Sequence, residues 1–139
     1  MIRFFNEDTA YKLLRKTVVK QWLTRQAKLE GVAVRELNYI FCSDEYLLQI
    51  NREHLNHDYY TDIITFDTSD DAGVIEGDVF ISVDRVDDNW RIQQTSFADE
   101  MHRVLAHGLL HLCGYGDKTD GEVALMRQKE DEWLTTLPA

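Results

Sequence analysis

The sequence predicts an α+β fold: a mixed four-stranded sheet with about five helices packed largely on one of its sides. Three observations carry that prediction. Helical and strand-like hydrophobic periodicities alternate along the chain in mixed order. Capping residues and glycines punctuate them, and the only proline is Pro138. The chain has 139 residues, 44% of them hydrophobic, which suits one compact domain with a single core, so residues 1–139 read as one domain.

Ile2, Phe4 and Phe5 mark a short first strand, after which Tyr11, Leu14, Val18 and Trp22 recur at helical spacing until Gly31 supplies a stop. Glu36 to Phe41 reads as a second strand. Ser43 then caps a helix that opens with Asp44 and Glu45, whose carboxylates suit a helix N-terminus. It carries Leu47, Leu48 and Ile50 and fades near His54. Two β-like runs follow, DIITFD at 62–67 and GDVFIS at 77–82, separated by the acidic turn SDDAG. They form a hairpin or a loosely joined strand pair. A helix through Val83, Val86 and Trp90 comes next, and Ser96 with Asp99 three residues on starts another that reaches Leu112. Met101, Val104, Leu105, Gly108, Leu109 and Leu112 give this helix one core-facing stripe. Thr119 with Glu122 opens the last helix, docked by Val123, Met126 and Trp133.

The formal net charge of −10 argues against a protein that coats nucleic acid through bulk positive charge. Its distribution is uneven, with eight basic and three acidic residues among the first 35. Such asymmetry fits an RNA-facing basic helix, but on charge alone a solvated helix surface is the favoured reading. The opening MIRFFNEDTAYKLLRK lacks a signal-peptide pattern, and no apolar run approaches the roughly 20 residues needed to span a bilayer. An intracellular, cytoplasmic protein with no membrane partner is the expectation. Cys42 and Cys113 lack the spacing of a disulfide framework and read as buried, reduced thiols.

The chemistry concentrates in HGLLHLCGYGD. His107 and His111 are four apart on a buried helix, so their Cβ atoms lie roughly 5 to 6 Å apart on one side, at the edge of the apolar stripe. That suits two imidazoles gripping one ion. Gly114 lets the helix end in a left-handed turn, and Asp117 can then swing back as a third ligand. The H-x3-H-x2-G-x2-D spacing matches a zincin-like metal-binding helix with an open coordination position. Peptidases of the HExxH design carry their general base directly after the first histidine, where this chain has Gly108. A peptide substrate is therefore disfavoured.

HGLLHLCGYGD resembles the H-G-x-L-H-L-x-G-Y-D-H signature of the YbeY family of endoribonucleases, also called rRNA maturation factors. TDIITF at 61–66 resembles that family's T-D-V-L-S-F strand, and GDVFIS at 77–82 its G-D-[IVL]-x-I-[SC] strand; the likeness runs from about residue 36 onward. The resemblance implies a small α+β fold, one catalytic metal per chain usually taken to be zinc, and a role in maturation of small-subunit (16S) ribosomal RNA and ribosome quality control. Asp117 stands in place of the family's third histidine and Gly116 where the family has Asp. A carboxylate is an ordinary zinc ligand, but two neutral imidazoles and one carboxylate leave the site at +1 rather than +2. The family also carries an RNA-engaging arginine before T-D-V-L-S-F, and counting back puts Leu55 there. Arg52, one turn earlier, is the substitute, with His57 and Tyr59 as further RNA contacts beside His54 and Tyr60. Asp78 enters only because its motif does, and a turn-capping role explains it equally well.

The leading reading is a single-strand-specific, metal-dependent endoribonuclease. His107 and His111 are its catalytic residues, His107, His111 and Asp117 its metal ligands, and ribosomal RNA and ribosomal particles its partners, with no DNA expected. The alternatives are a metalloprotease, which Gly108 opposes, and a non-catalytic ribosome assembly factor with a structural metal, which a three-ligand set opposes.

Overall fold

A computed structural model describes residues 1–138. Among the described residues the chain runs β1 (Ile2–Asn6), α1 (Lys16–Leu29), β2 (Ala33–Cys42), α2 (Asp44–Leu55), β3 (Ile63–Asp67), β4 (Val74–Ser82), α3 (Val83–Gln93), α4 (Phe97–Leu112) and α5 (Asp120–Thr135). The strands form one mixed sheet in the order β1-β2-β4-β3, as the α+β reading expects. β1, β2 and β4 run parallel, and β3 pairs antiparallel with β4, so the 62–67 and 77–82 runs are indeed partners.

Alternation along β4 decides what each face carries. Gly77, Val79 and Ile81 turn toward α4, while Asp78 and Phe80 turn the other way. The larger core lies between the sheet and helices α1, α4 and α5. Trp22, Leu23, Tyr39, Phe41, Leu105 and Leu109 are fully buried there. Two polar ties fix these layers: the Tyr39 hydroxyl donates to the Leu105 carbonyl at 2.8 Å, and the Trp22 indole N–H to the Trp133 carbonyl at 2.9 Å. A buried donor left unpaired would cost about 1 to 3 kcal/mol, so both ties set the register of α4 and α5. The opposite face holds a smaller cluster of Cys42, Leu47, Ile50 and Ile64 under α2. Helices are thus largely, but not wholly, on one side.

The caps appear where the sequence places them. Ser43, Ser82, Ser96 and Thr119 each accept a backbone N–H three residues on, and Thr119 with Glu122 forms a complete capping box. Two readings need correction. α1 starts at Lys16 rather than near Tyr11, because Arg15 sits at φ 58° in the left-handed region. The preceding loop is held by the Asn6 amide donating to the Thr9 and Tyr11 carbonyls, so Tyr11 reaches Phe41 and Phe97 from a loop and Leu14 is exposed. On α5, Met126 and Trp133 dock as expected, but Val123 is exposed, at the rim of a cleft. No helix among the described residues is long and apolar enough to cross a membrane.

Candidate metal centre

α4 ends in a Schellman motif: the Tyr115 N–H bonds to the Leu110 carbonyl at 3.1 Å and the Gly114 N–H to the His111 carbonyl at 3.0 Å. Gly114 takes φ +108°, a conformation that favours glycine. The chain therefore reverses just past His111. Asp117 returns to the helix, with its Oδ2 3.0 Å from His111 Nε2 and 3.5 Å from His107 Nε2. One donor atom from each of His107, His111 and Asp117 lies within 4.8 Å of the others, a group able to hold a metal ion. The imidazoles stand edge to face with centroids 4.6 Å apart, half-buried, while Asp117 is more open. The three side chains expected as ligands from sequence spacing are brought together.

Gly108 lies against the sheet rather than toward this group. A Cβ there would come within 2.8 Å of Val79 Cγ1 and 3.0 Å of Ile63 Cδ1. The absent protease glutamate thus has a steric cause as well as a chemical consequence, since α4 packs on β3 and β4 at a glycine. Gly116 has a separate reason: a Cβ would collide with the Glu122 carboxylate, which accepts the Thr119 N–H at 3.0 Å in the capping box.

Two further groups complete the site, and neither stood out in the sequence. Glu130, on α5 and 4% exposed, places Oε2 2.6 Å from His107 Nδ1. A carboxylate only accepts, so Nδ1 carries the proton and the Nε2 lone pair is left for an ion, the carboxylate–histidine arrangement common behind metal ligands. Glu130 Oε1 in turn accepts from Arg103 at 3.0 Å, and Arg103 also reaches Asp131 at 2.7 Å. Burial disfavours a charged His107 imidazole, but the bond and charge of Glu130, with Asp62 and Asp117, outweigh it and raise the His107 pKa. The second group is Asp62, just before β3. It lines a cleft of about 300 Å3 together with His107, Asp117, Glu100, Arg103 and Glu130. Burial pushes its carboxyl up, against the pull of His107. The buried Glu100 carboxyl is raised in the same way, opposed by Arg103.

The sequence-derived RNA contacts fall elsewhere, Arg52 in the last turn of α2 and His57 and Tyr59 on the α2–β3 connection. Arg52 is exposed and ion-paired with Asp58, and His57 stacks on Tyr59 with ring centroids 5.1 Å apart. Buried Asn51 holds this loop by donating to the Tyr59 carbonyl and accepting the His57 N–H through its own carbonyl. None of the three belongs to the metal-holding group. Asp78 does not cap a turn: it sits within β4, on the face away from α4, and accepts from the Asn38 amide at 3.0 Å. The cysteines are free; Cys113 packs against the core outside the ligand group, and burial pushes both thiols up to about 12.

Comparison with known proteins places the chain in a family and a fold. The family model described as Endoribonuclease YbeY matches residues 3–138. A protein of Cytophaga hutchinsonii named Endoribonuclease YbeY is 60% identical over 134 residues, covering 96% of this chain and 94% of its own. One of the same name from Flavobacterium johnsoniae is 50% identical over 128 residues, covering 92% and 91%. Among solved structures, the solution structure of TM1509 from Thermotoga maritima superposes with a TM-score of 0.69 at 28% identity, covering 96% of this chain and 87% of that one.

Proposed function

The chain belongs to the endoribonuclease YbeY family, and from that premise we propose that it is a metal-dependent endoribonuclease cutting single-stranded RNA, with His107, His111 and Asp117 as its metal ligands. The observation that carries this reading is the convergence of those three side chains behind a Schellman turn, with Glu130 presenting His107 Nε2 to them. The donor set, two imidazoles and a carboxylate, suits zinc, and three protein ligands suit a catalytic rather than a structural site.

Bound there, a divalent ion supplies electrostatic stabilisation of the charge that builds on a phosphodiester during cleavage. The remaining work falls to the chain itself. Glu130 holds the proton at His107 Nδ1, and Arg103 holds Glu130. Asp62 lines the same cleft with a carboxyl whose pKa burial raises, and takes the proton of the attacking nucleophile, be it water or the ribose hydroxyl. Asp117 makes the site less positive than a three-histidine set would be. Arg52 at the end of α2, with His57 and Tyr59 on the loop after it, supplies exposed cationic and aromatic contacts for RNA. The substrate is the 16S ribosomal RNA of small-subunit particles, processed in the cytoplasm during ribosome maturation and quality control.

A protease reading gains nothing from the structure, because Gly108 is buried against Val79 and Ile63. The direct test is cleavage of a single-stranded rRNA fragment by chelator-treated protein before and after zinc is restored, alongside casein. RNA cutting that returns with zinc, with casein intact, supports the proposal; casein cleavage without RNA cleavage overturns it. The product ends assign the nucleophile: a 2′,3′-cyclic phosphate marks the ribose hydroxyl, and a free 3′-hydroxyl marks water.

A further inference from the structure

From Arg35 onward, every lysine and arginine except Lys118 pairs with a carboxylate at 3.7 Å or closer. The α1 region is different. Lys12, Lys16, Lys20, Arg25 and Lys28 have no ion pair among the described residues, although the chain as a whole carries 25 acids against 15 bases. α1 itself contains no acidic residue, and Lys16, Lys20, Thr24 and Lys28 follow one another at intervals of four, with Thr17, Gln21 and Arg25 alongside. Its buried side holds Val19, Trp22, Leu23, Gln26 and Ala27; Lys16, Arg25 and Lys28 are exposed, and half-buried Lys20 lies at the edge with its ammonium 5.8 Å from the Phe4 ring centroid.

This arrangement costs the helix stability. Lys16 and Lys20, like charges four apart, repel each other. The N-terminus is also wrongly charged for the helix dipole. α2, α3, α4 and α5 each place acids in the first turn, whereas α1 has none there and begins with Arg15 and Lys16. A face that only needed solvation could intersperse glutamates, so the absence of any acid from α1 points to an anionic counterpart outside the chain.

We propose that the outer face of α1 is a second docking surface, separate from the cleavage site, that binds the phosphate backbone of the RNA flanking the cut. It rests on the endoribonuclease reading. RNA is favoured over an acidic protein because the stripe is linear and nearly devoid of apolar anchors. From Lys16 to Lys28 it spans roughly 18 Å, at 1.5 Å per residue, the length of roughly five phosphates at 3.4 Å along a strand. It also leads toward the metal-holding turn. Glu30, directly after α1, pairs with Lys129 at 3.0 Å and accepts the Tyr115 hydroxyl at 3.0 Å. Tyr115 lies between Gly114 and Asp117, and the unpaired Lys118 follows.

The test compares wild type with a Lys16→Ala, Lys20→Ala, Lys28→Ala variant and with an Arg35→Ala, Arg91→Ala control, all checked for native melting. Binding to a labelled long single-stranded RNA is measured against salt, and cleavage is followed on that RNA and on a hexanucleotide. Three lost phosphate contacts reduce the slope of log K against log salt by about 2 and weaken binding roughly a hundredfold at 0.1 M salt. The control keeps the wild-type slope, and the triple variant still cuts the hexanucleotide at the wild-type rate. An unchanged slope in the triple variant overturns the proposal, as does equal loss on long and short RNA. So does loss of binding to ribosomal particles with protein-free RNA still bound, which assigns the face to a protein. Failure of wild type to cut either RNA sinks the endoribonuclease reading instead.

Discussion

Replacing Glu130 with glutamine changes one atom, and its effect can be worked out from two bonds. The carboxylate now serves two donors at once, His107 Nδ1 through Oε2 at 2.6 Å and Arg103 through Oε1 at 3.0 Å. A glutamine amide has one oxygen to offer, and its NH2 must face the other donor. If the oxygen stays with Arg103, the NH2 faces His107 Nδ1, the imidazole tautomer reverses, and Nε2 carries a proton where a ligand lone pair is needed. If the oxygen stays with His107, Arg103 faces an NH2 and falls back on Asp131. The first outcome is preferred, because it satisfies both neighbours. Loss of such a partner behind a ligating histidine typically lowers metal affinity 10- to 100-fold, or about 1.4 to 2.7 kcal/mol. Zinc affinity is measured by chelator competition, and long-range 15N–1H correlation spectra of the metal-free protein report the His107 tautomer. A Glu130→Gln protein with native circular dichroism, wild-type zinc affinity and an Nδ1-protonated His107 would refute the reasoning.

Three other outcomes follow from the packing and charges around the site. Gly108→Ala gains about 1 kcal/mol of helix propensity but drives a methyl into Val79 and Ile63. Overpacking costs about 1 to 3 kcal/mol, so urea unfolding should show net destabilisation, and a stabilised variant would contradict the close approach of α4 to the sheet. Gly116→Asp sets a side chain and a second charge against the Glu122 carboxylate; the capping box is lost at a cost of about 1 kcal/mol, and the penalty shrinks in a Glu122→Ala background. Glu100→Gln tests burial. The folded-state pKa of Glu100 is raised, so the native state binds its proton more tightly than the unfolded chain does, and the stability this contributes at low pH is lost as pH rises from the ordinary carboxyl value through the raised one. Glutamine does not titrate. The metal-free variant should therefore melt above wild type at pH 7 and converge with it below the ordinary carboxyl pKa; a difference independent of pH would contradict that assignment.

The parts of this protein legible from sequence are those whose information is local. The α4 stripe, the histidine pair at its edge, Gly114 and the Thr119–Glu122 capping box are each set by spacings of a few residues, and each stands where the spacing puts it. Glu130 was not legible. It reaches His107 across 23 residues through the packing of α5 on α4, and nothing around it in the sequence distinguishes it from the other acids of α5. Asp62 passed as the first residue of a strand, because its importance lies in the cleft that α3, α4 and α5 close over it. The early start read for α1 came from Tyr11 and Leu14, apolar at helical spacing; Tyr11 packs from a loop and Leu14 is in solvent, and the Asn6 bonds that settle the matter carry no hydrophobic signal. The basic residues of α1 were visible from the start, but only the ion pairing of the remaining cations separates them from an ordinary solvated surface.

The central claim, that one ion on His107, His111 and Asp117 drives RNA cleavage, is tested most directly by measuring metal content and RNA cleavage on the same samples. Wild type, His111→Ala and Asp117→Ala are purified identically, loaded with zinc, desalted, and assayed by mass spectrometry and on a single-stranded rRNA fragment. The account predicts about one ion per chain with cutting in wild type, and loss of both in each variant. Undiminished metal and cutting in His111→Ala would contradict it, and the same result confined to Asp117→Ala would remove that carboxylate from the ligand set.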